Sequence, residues 1–214
     1  MAKKSQKAEL AGVSQVQVVV RLKGVSPLVQ HCWSEKARTM MRDKQQTGKK
    51  TKTRELKDPK AEGEAAMYRT EDGKPGIPAV AIKAAVIDAA HNDLGMPKTL
   101  VRKSLFIHPF GRDVVLPLEH ADKKKRGAVE YAIEEDMVRV GQGSADLRYR
   151  PYFYDWGVTT TWIIDADGLQ VSDLLTLLDR AGFGIGVCEW RPEKGGQFGR
   201  FKIDETVKPV ETVL

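Results

Sequence analysis

Val158-Thr159-Thr160-Thr161-Trp162-Ile163-Ile164 opens the stretch that decides the fold. Its β-branched and aromatic residues suit a pleated, half-buried strand. A turn follows at Asp165-Ala166-Asp167-Gly168, after which Val171, Leu174, Leu175 and Leu178 recur at the helical interval, with Ser172 placed to cap the first turn and Gly182 to end the last. Residues 158–203 thus read as strand, helix, glycine-rich loop and closing strand. The loop interleaves Gly182, Gly184, Gly186, Gly195, Gly196 and Gly199 with Trp190, Arg191, Lys194, Phe198 and Arg200. Bare backbone amides between glycines can approach phosphates, and flat side chains can meet bases. This loop is the expected functional surface.

Upstream, residues 1–13 form a basic arm without periodicity, and residues 14–214 are expected to form a single domain. Val16, Val18, Val20 and Leu22 alternate with Gln15, Gln17, Val19 and Arg21, so the first strand offers one apolar face to a core. Residues 24–27 break or bend it. Residues 34–75 are dominated by polar and charged side chains around Lys49, Lys50, Lys52 and Arg54, with almost nothing apolar to anchor them. They read as a long flexible insertion that either stays solvated or orders on a polyanion or a neighbouring copy. Pro78 suits the start of a helix whose following residues are apolar almost all round, Lys83 excepted. That ammonium either snorkels to solvent or reaches the anion that the glycine loop approaches.

Two short strands are expected at 101–107 and 113–118, joined across Pro109-Phe110-Gly111, then a basic turn at 122–126 and a strand at 130–140. Arg148 and Arg150 next mix with Tyr149, Tyr152 and Tyr154; aromatics at period two serve either as a packing face or as a platform for bases. The order is strand, insertion, helix, strands, helix, glycine loop, strand. It implies an α+β, ferredoxin-like (RRM-like) split βαβ fold with two helices on one face of an antiparallel sheet and the other face free.

Gly76-Ile77-Pro78-Ala79-Val80-Ala81-Ile82-Lys83-Ala84-Ala85 resembles the signature that opens the first helix of RAMP proteins, the repeat-associated family that supplies backbone and processing subunits of CRISPR effector complexes. Ala79 and Ala84 stand where that family has glycines. Residues 182–201, ending Gly195-Gly196-Gln197-Phe198-Gly199-Arg200-Phe201, are similar to the family's C-terminal glycine-rich loop. The resemblance implies an RRM-like fold whose copies stack along single-stranded RNA, with the insertion reaching a neighbour as a thumb and further subunits as partners. The chain also resembles bacteriophage-encoded proteins, a setting in which the strand would be DNA.

Net charge of +6 fits an acidic polymer as partner. No apolar run approaches the roughly 20 residues of a membrane span, and the first residues lack a secretory apolar segment, so the expected location is the cytoplasm. Cys32 and Cys188 have no metal-type spacing, and no cofactor or metal is expected. His31, His91, His108 and His120 are scattered, leaving His31 as the one candidate acid or base for an endoribonuclease. Asp136, Asp146, Asp155, Asp165 and Asp167 fall at turns that favour aspartate for local hydrogen bonds. Binding without catalysis is the favoured expectation. A RAMP-like endoribonuclease is one alternative, and a phage structural or assembly protein, with Trp190 and Phe198 at subunit contacts, is the other.

Overall fold

The computed structural model describes residues 12–33, 35–47, 56, 58–111, 113–125, 127–139, 143 and 145–214. In chain order its elements are β1 Gln15–Gly24, β2 Leu28–Val29, α1 Glu35–Thr47, α2 Pro59–Ala65, β3 Gly76–Pro78, α3 Ala79–Leu94, α4 Lys98–Ser104, β4 Leu105–His108, β5 Val115–Glu119, β6 Ala132–Arg139, β7 Ala145–Phe153, β8 Gly157–Asp165, α5 Val171–Arg180, β9 Phe201–Ile203 and β10 Val210–Val213. β1 pairs antiparallel with β8 on one side and with β9 and β10 on the other, and β8 pairs in turn with β4 and β5. The four strand positions lie in the order fourth, first, third, second, with α3 and α5 as the two crossovers. That is the split βαβ arrangement, an α+β fold with an antiparallel sheet. A second sheet of β2, β7 and β6 stands beside it.

The alternation read in β1 is the core register. Val18, Val20 and Leu22 are fully buried, in register with Trp162, Thr160 and Val158 of β8. Ile82 and Val86 of α3, Leu174, Leu177 and Leu178 of α5, and Leu105 and Ile107 of β4 close the same core. Thr160 is buried among them because its hydroxyl is doubly used: Oγ1 donates to the Val20 carbonyl at 2.9 Å and accepts from Trp162 Nε1 at 2.9 Å. A buried polar group is tolerated on those terms.

The opposite sheet face is open only in part. Arg21 points there yet is 5% exposed, because Nε donates to Asp204 Oδ2 at 3.0 Å, Nη2 to the His120 carbonyl at 2.6 Å, and Nη1 to Glu119. The chain after β5 and after β9 therefore covers the end of the sheet near Gly24. The face remains open toward Gln15.

Local differences from the sequence reading have simple causes. Residues 101–104 belong to a helix rather than a strand, since Pro97 sits at its N-cap and the chain extends only from Leu105. α5 is capped by Gln170 and Asp173, whose Oδ2 accepts from the Gln170 amide at 2.9 Å, not by Ser172, which lies inside the first turn. Gly182 does not end that helix: the chain continues through a π turn, Ala181–Ile185, and breaks at Gly186. Within residues 34–75, α1 exposes its side chains from 38 to 46, whereas α2 is anchored. Asp58 Oδ1 accepts from the amides of Lys60 and Ala61, and α2 approaches β6 so closely that a Cβ at Gly63 would lie 2.4 Å from Ile133 Cγ2. Ala66 and Met67, 4% exposed each, provide the apolar anchor that the polar composition hides.

Candidate nucleic-acid interface

Most of the nominated residues converge. The loop from Gly186 to Arg200 lies on the β1–β2 connection: Gly199 N donates to the Pro27 carbonyl at 2.7 Å, Arg200 N to Ser26 Oγ at 3.0 Å, and Glu189 N to the Val29 carbonyl at 3.0 Å. β7 stands alongside and turns Arg148, Arg150 and Tyr152 to one face, with Tyr154 just past its end, and the Phe198 ring packs edge-on to Tyr152 at 6.0 Å. His31 follows β2 into the same region. Lys49, Lys50, Lys52 and Arg54 lie outside the described residues.

Lys83 is elsewhere. Ala81, Ala84, Ala85 and Asp88 form the side of α3 that faces the loop and share with Tyr68, Cys188, Glu189 and Arg191 a cavity of about 220 Å³. Lys83 is on another side of the helix, its ammonium 4.5 Å from the centre of the Phe106 ring.

The loop's amides are largely spent within it. Gly195 N donates to the Pro192 carbonyl, Gly196 N to Arg191, Phe198 N to Trp190 and Val187 N to Gly199, at 2.9–3.0 Å. The glycines thus serve tight folding of the loop, and side chains carry its chemistry. Cys188 (φ 63°) and Trp190 (φ 55°) adopt left-handed backbone, which costs a non-glycine residue on the order of 1–2 kcal/mol. Trp190 nevertheless remains 45% exposed, so the strained backbone holds an indole out to solvent.

Charge on the loop and on β7 divides into buried and exposed pairs. Arg150, 7% exposed, binds Asp136 at 3.3 Å and lies 4.0 Å from Glu189, while Asp136 also accepts from the Tyr152 hydroxyl at 2.7 Å. This cation holds β6, β7 and the loop together. Arg191 and Lys194 share Glu193 at 2.8 and 3.2 Å, and Arg191 Nη1 also donates to the Cys188 carbonyl. Arg148 is paired with Asp146 at 3.2 Å. Arg200 lies over the Phe183 ring, 4.9 Å from its centre. Exposed pairs of this kind contribute about 0–1 kcal/mol, so a phosphate can replace Glu193 or Asp146 at little cost.

Burial and the neighbouring Arg150 guanidinium hold the His31 pKa below its ordinary value, and its Nδ1 has no hydrogen-bond partner among the described residues. Burial pushes the Cys188 thiol and the Tyr68 hydroxyl each up to about 12, so both stay protonated. Among the described residues no group of three or more His, Cys, Asp or Glu is placed to hold a metal ion, and no helix is long and apolar enough to cross a membrane.

Sequence reading missed Phe183, Tyr68 and Glu193 in this region. The alternation of Arg148, Arg150 and Tyr152 at period two was the signal for their shared face.

No protein-family model matches the chain. No curated protein matches it in sequence. Among solved structures, the chain is similar to Cmr6 from Pyrococcus furiosus at 12% sequence identity and a TM-score of 0.44, over 90% of this chain and 100% of that one.

Proposed function

We propose that the chain is a non-catalytic, single-stranded nucleic-acid-binding protein, with RNA preferred over DNA, whose copies assemble along the strand. The observation that carries this reading is Trp190: an exposed indole held on left-handed backbone by an internally hydrogen-bonded loop that also carries Arg191 and Lys194 in weak pairs with Glu193, with Arg148 in a weak pair on the neighbouring β7. Bases stack on the indole, and phosphates compete for the three cations. Arg150 acts beneath them as a strut rather than a ligand. The preference for RNA and the assembly into a backbone follow from the likeness of the helix and loop signatures to RAMP proteins, with residues 34–75 reaching the adjacent copy.

Fluorescence anisotropy of a labelled 12-nucleotide oligoadenylate, RNA and DNA, over a salt series tests the reading. Affinity should fall with log salt at a slope of about −0.7 per phosphate neutralised. Trp190→Ala should weaken binding by about 5- to 150-fold, the worth of roughly 1–3 kcal/mol of stacking, without changing that slope. Arg191→Ala should flatten the slope by about 0.7, the share of one phosphate contact. Salt-independent binding, or a Trp190→Ala variant as tight as the parent, would remove the basis of the proposal.

A further inference from the structure

We propose that the open sheet face carries a second nucleotide site, at the end of β1 and β8 remote from the glycine loop, where a base seats against Phe106 and Phe110 and its phosphate meets Lys83 and Lys103. In β4, Leu105 and Ile107 enter the core while Phe106 and His108 point to the open face, in register with Ile163 and Thr161 of β8. Phe110 packs edge-on against both rings, 6.5 Å from Phe106 and 5.3 Å from His108. Phe106 and Phe110 are 42% and 64% exposed, which leaves two phenyl rings in water on a sheet whose core has ample apolar surface of its own.

These rings wall a cavity of about 490 Å³, with Ile163 at its floor and Lys103, Gln15 and Asp165 among its lining residues. That volume lies within the roughly 300–1,000 Å³ of small-ligand sites. The charge distribution selects the occupant. Lys83 reaches from α3 past the edge strand to the Phe106 ring, and neither it nor Lys103 has a carboxylate partner among the described residues. Two ammonium groups with no carboxylate partner among the described residues, Lys103 on the cavity wall and Lys83 over the Phe106 ring, match a nucleotide, which is both flat and anionic. Asp165, which also lines the cavity, repels phosphate, and the lone pairs its carboxylate does not give to the Asp167 amide can accept a hydrogen bond from a base carrying an exocyclic amine. A base with an exocyclic amine, adenine, cytosine or guanine, is therefore favoured over uracil.

The ten residues of β1 separate this cavity from the glycine loop by about 30 Å. The inference takes its ligand class from the single-strand reading but rests on different residues, so the two can fail separately. The test measures binding of 12-nucleotide oligoadenylate and oligouridylate to the full chain and to Phe106→Ala, Phe110→Ala, Phe106→Trp and Asp165→Asn, with thermal melting to check that each variant is folded. Each alanine should weaken oligoadenylate binding by about 5- to 150-fold at an unchanged salt slope. Phe106→Trp should retain affinity and show indole quenching on titration with oligoadenylate beyond that of the parent, whose Trp190 also responds, and Asp165→Asn should narrow the preference for adenine over uracil. If the parent binds but folded Phe106→Ala and Phe110→Ala bind equally well, the sheet site is overturned and the loop reading stands. If the alanines change only self-association, the patch is a contact between copies and the proposal is wrong. If the parent binds neither oligonucleotide, both readings fall.

Discussion

Arg21→Met should destabilise the protein by about 3–5 kcal/mol, measured as a lowered midpoint of denaturant unfolding at unchanged slope. Arg21 ties β1 to Glu119 at the end of β5, to the His120 carbonyl just after it and to Asp204 after β9. Methionine fills much of its volume but leaves the Asp204 carboxylate, in a residue 3% exposed, without its cation. Removing one member of a buried pair costs more than the pair contributes, because the remaining charge must be desolvated alone. Arg21→Met combined with Asp204→Asn should therefore recover part of the loss, and a double mutant as unstable as the sum of the singles would refute the coupling. Burial alone would raise the Asp204 pKa, but the Thr206 hydroxyl and amide and the Arg21 guanidinium outweigh it and hold the carboxyl below the usual range. Its contribution is thus complete above the unfolded value of about 3.9 and is lost as pH falls through the lower folded value. Asp204→Asn should flatten that acid limb in a pH series of melting temperatures.

Gly199→Ala should cost about 2–5 kcal/mol and remove oligonucleotide binding with it. Gly199 has φ 65°, and a Cβ there would lie 1.9 Å from the Val187 carbonyl oxygen. The obstacle is backbone, which no rotamer change relieves. Left-handed geometry adds about 1–2 kcal/mol and overpacking about 1–3 kcal/mol. The same residue donates to Pro27 and accepts from Val187, so moving it detaches the loop from the β1–β2 connection and releases Trp190. Circular dichroism melts with the anisotropy assay would follow both losses together. A variant that is destabilised yet binds as the parent does would show that loop geometry is not what presents the indole.

The crossovers and the order of strands were legible because their signals are simple. Val16 to Leu22 alternate at period two, β8 is rich in β-branched residues, and Pro78 and the leucines of α5 mark the helices. The candidate interface was legible in part, as the loop and β7 residues that come together, but not as a geometry. Composition placed cations beside glycines, yet could not show that the amides of Gly195 and Gly196 donate within the loop or that Arg150 is consumed by Asp136. Those pairings join residues distant in sequence and depend on register. Lys83 lies 4.5 Å from the Phe106 ring because α3 is rotated by its core residues, a constraint that a single lysine in an apolar run cannot reveal. Phe106 was hidden differently: Leu105-Phe106-Ile107-His108 reads as a uniformly strand-forming run, and only its alternation separates inward from outward residues.

The register of β1 also fixes the order in which the protein can come into being. β1 is made early, yet its partners in the main sheet are β8, β9 and β10, and the Val20 carbonyl is met by a hydroxyl 140 residues further along. At a translation rate of about 5–20 residues per second, Val16, Val18, Val19 and Val20 wait on the order of 10 s before a partner strand leaves the ribosome. Chains that stop short of β8 leave that valine-rich strand with both edges open. Ribosome-bound nascent chains should therefore gain protease resistance in one late step, after α5 emerges, rather than gradually along their length.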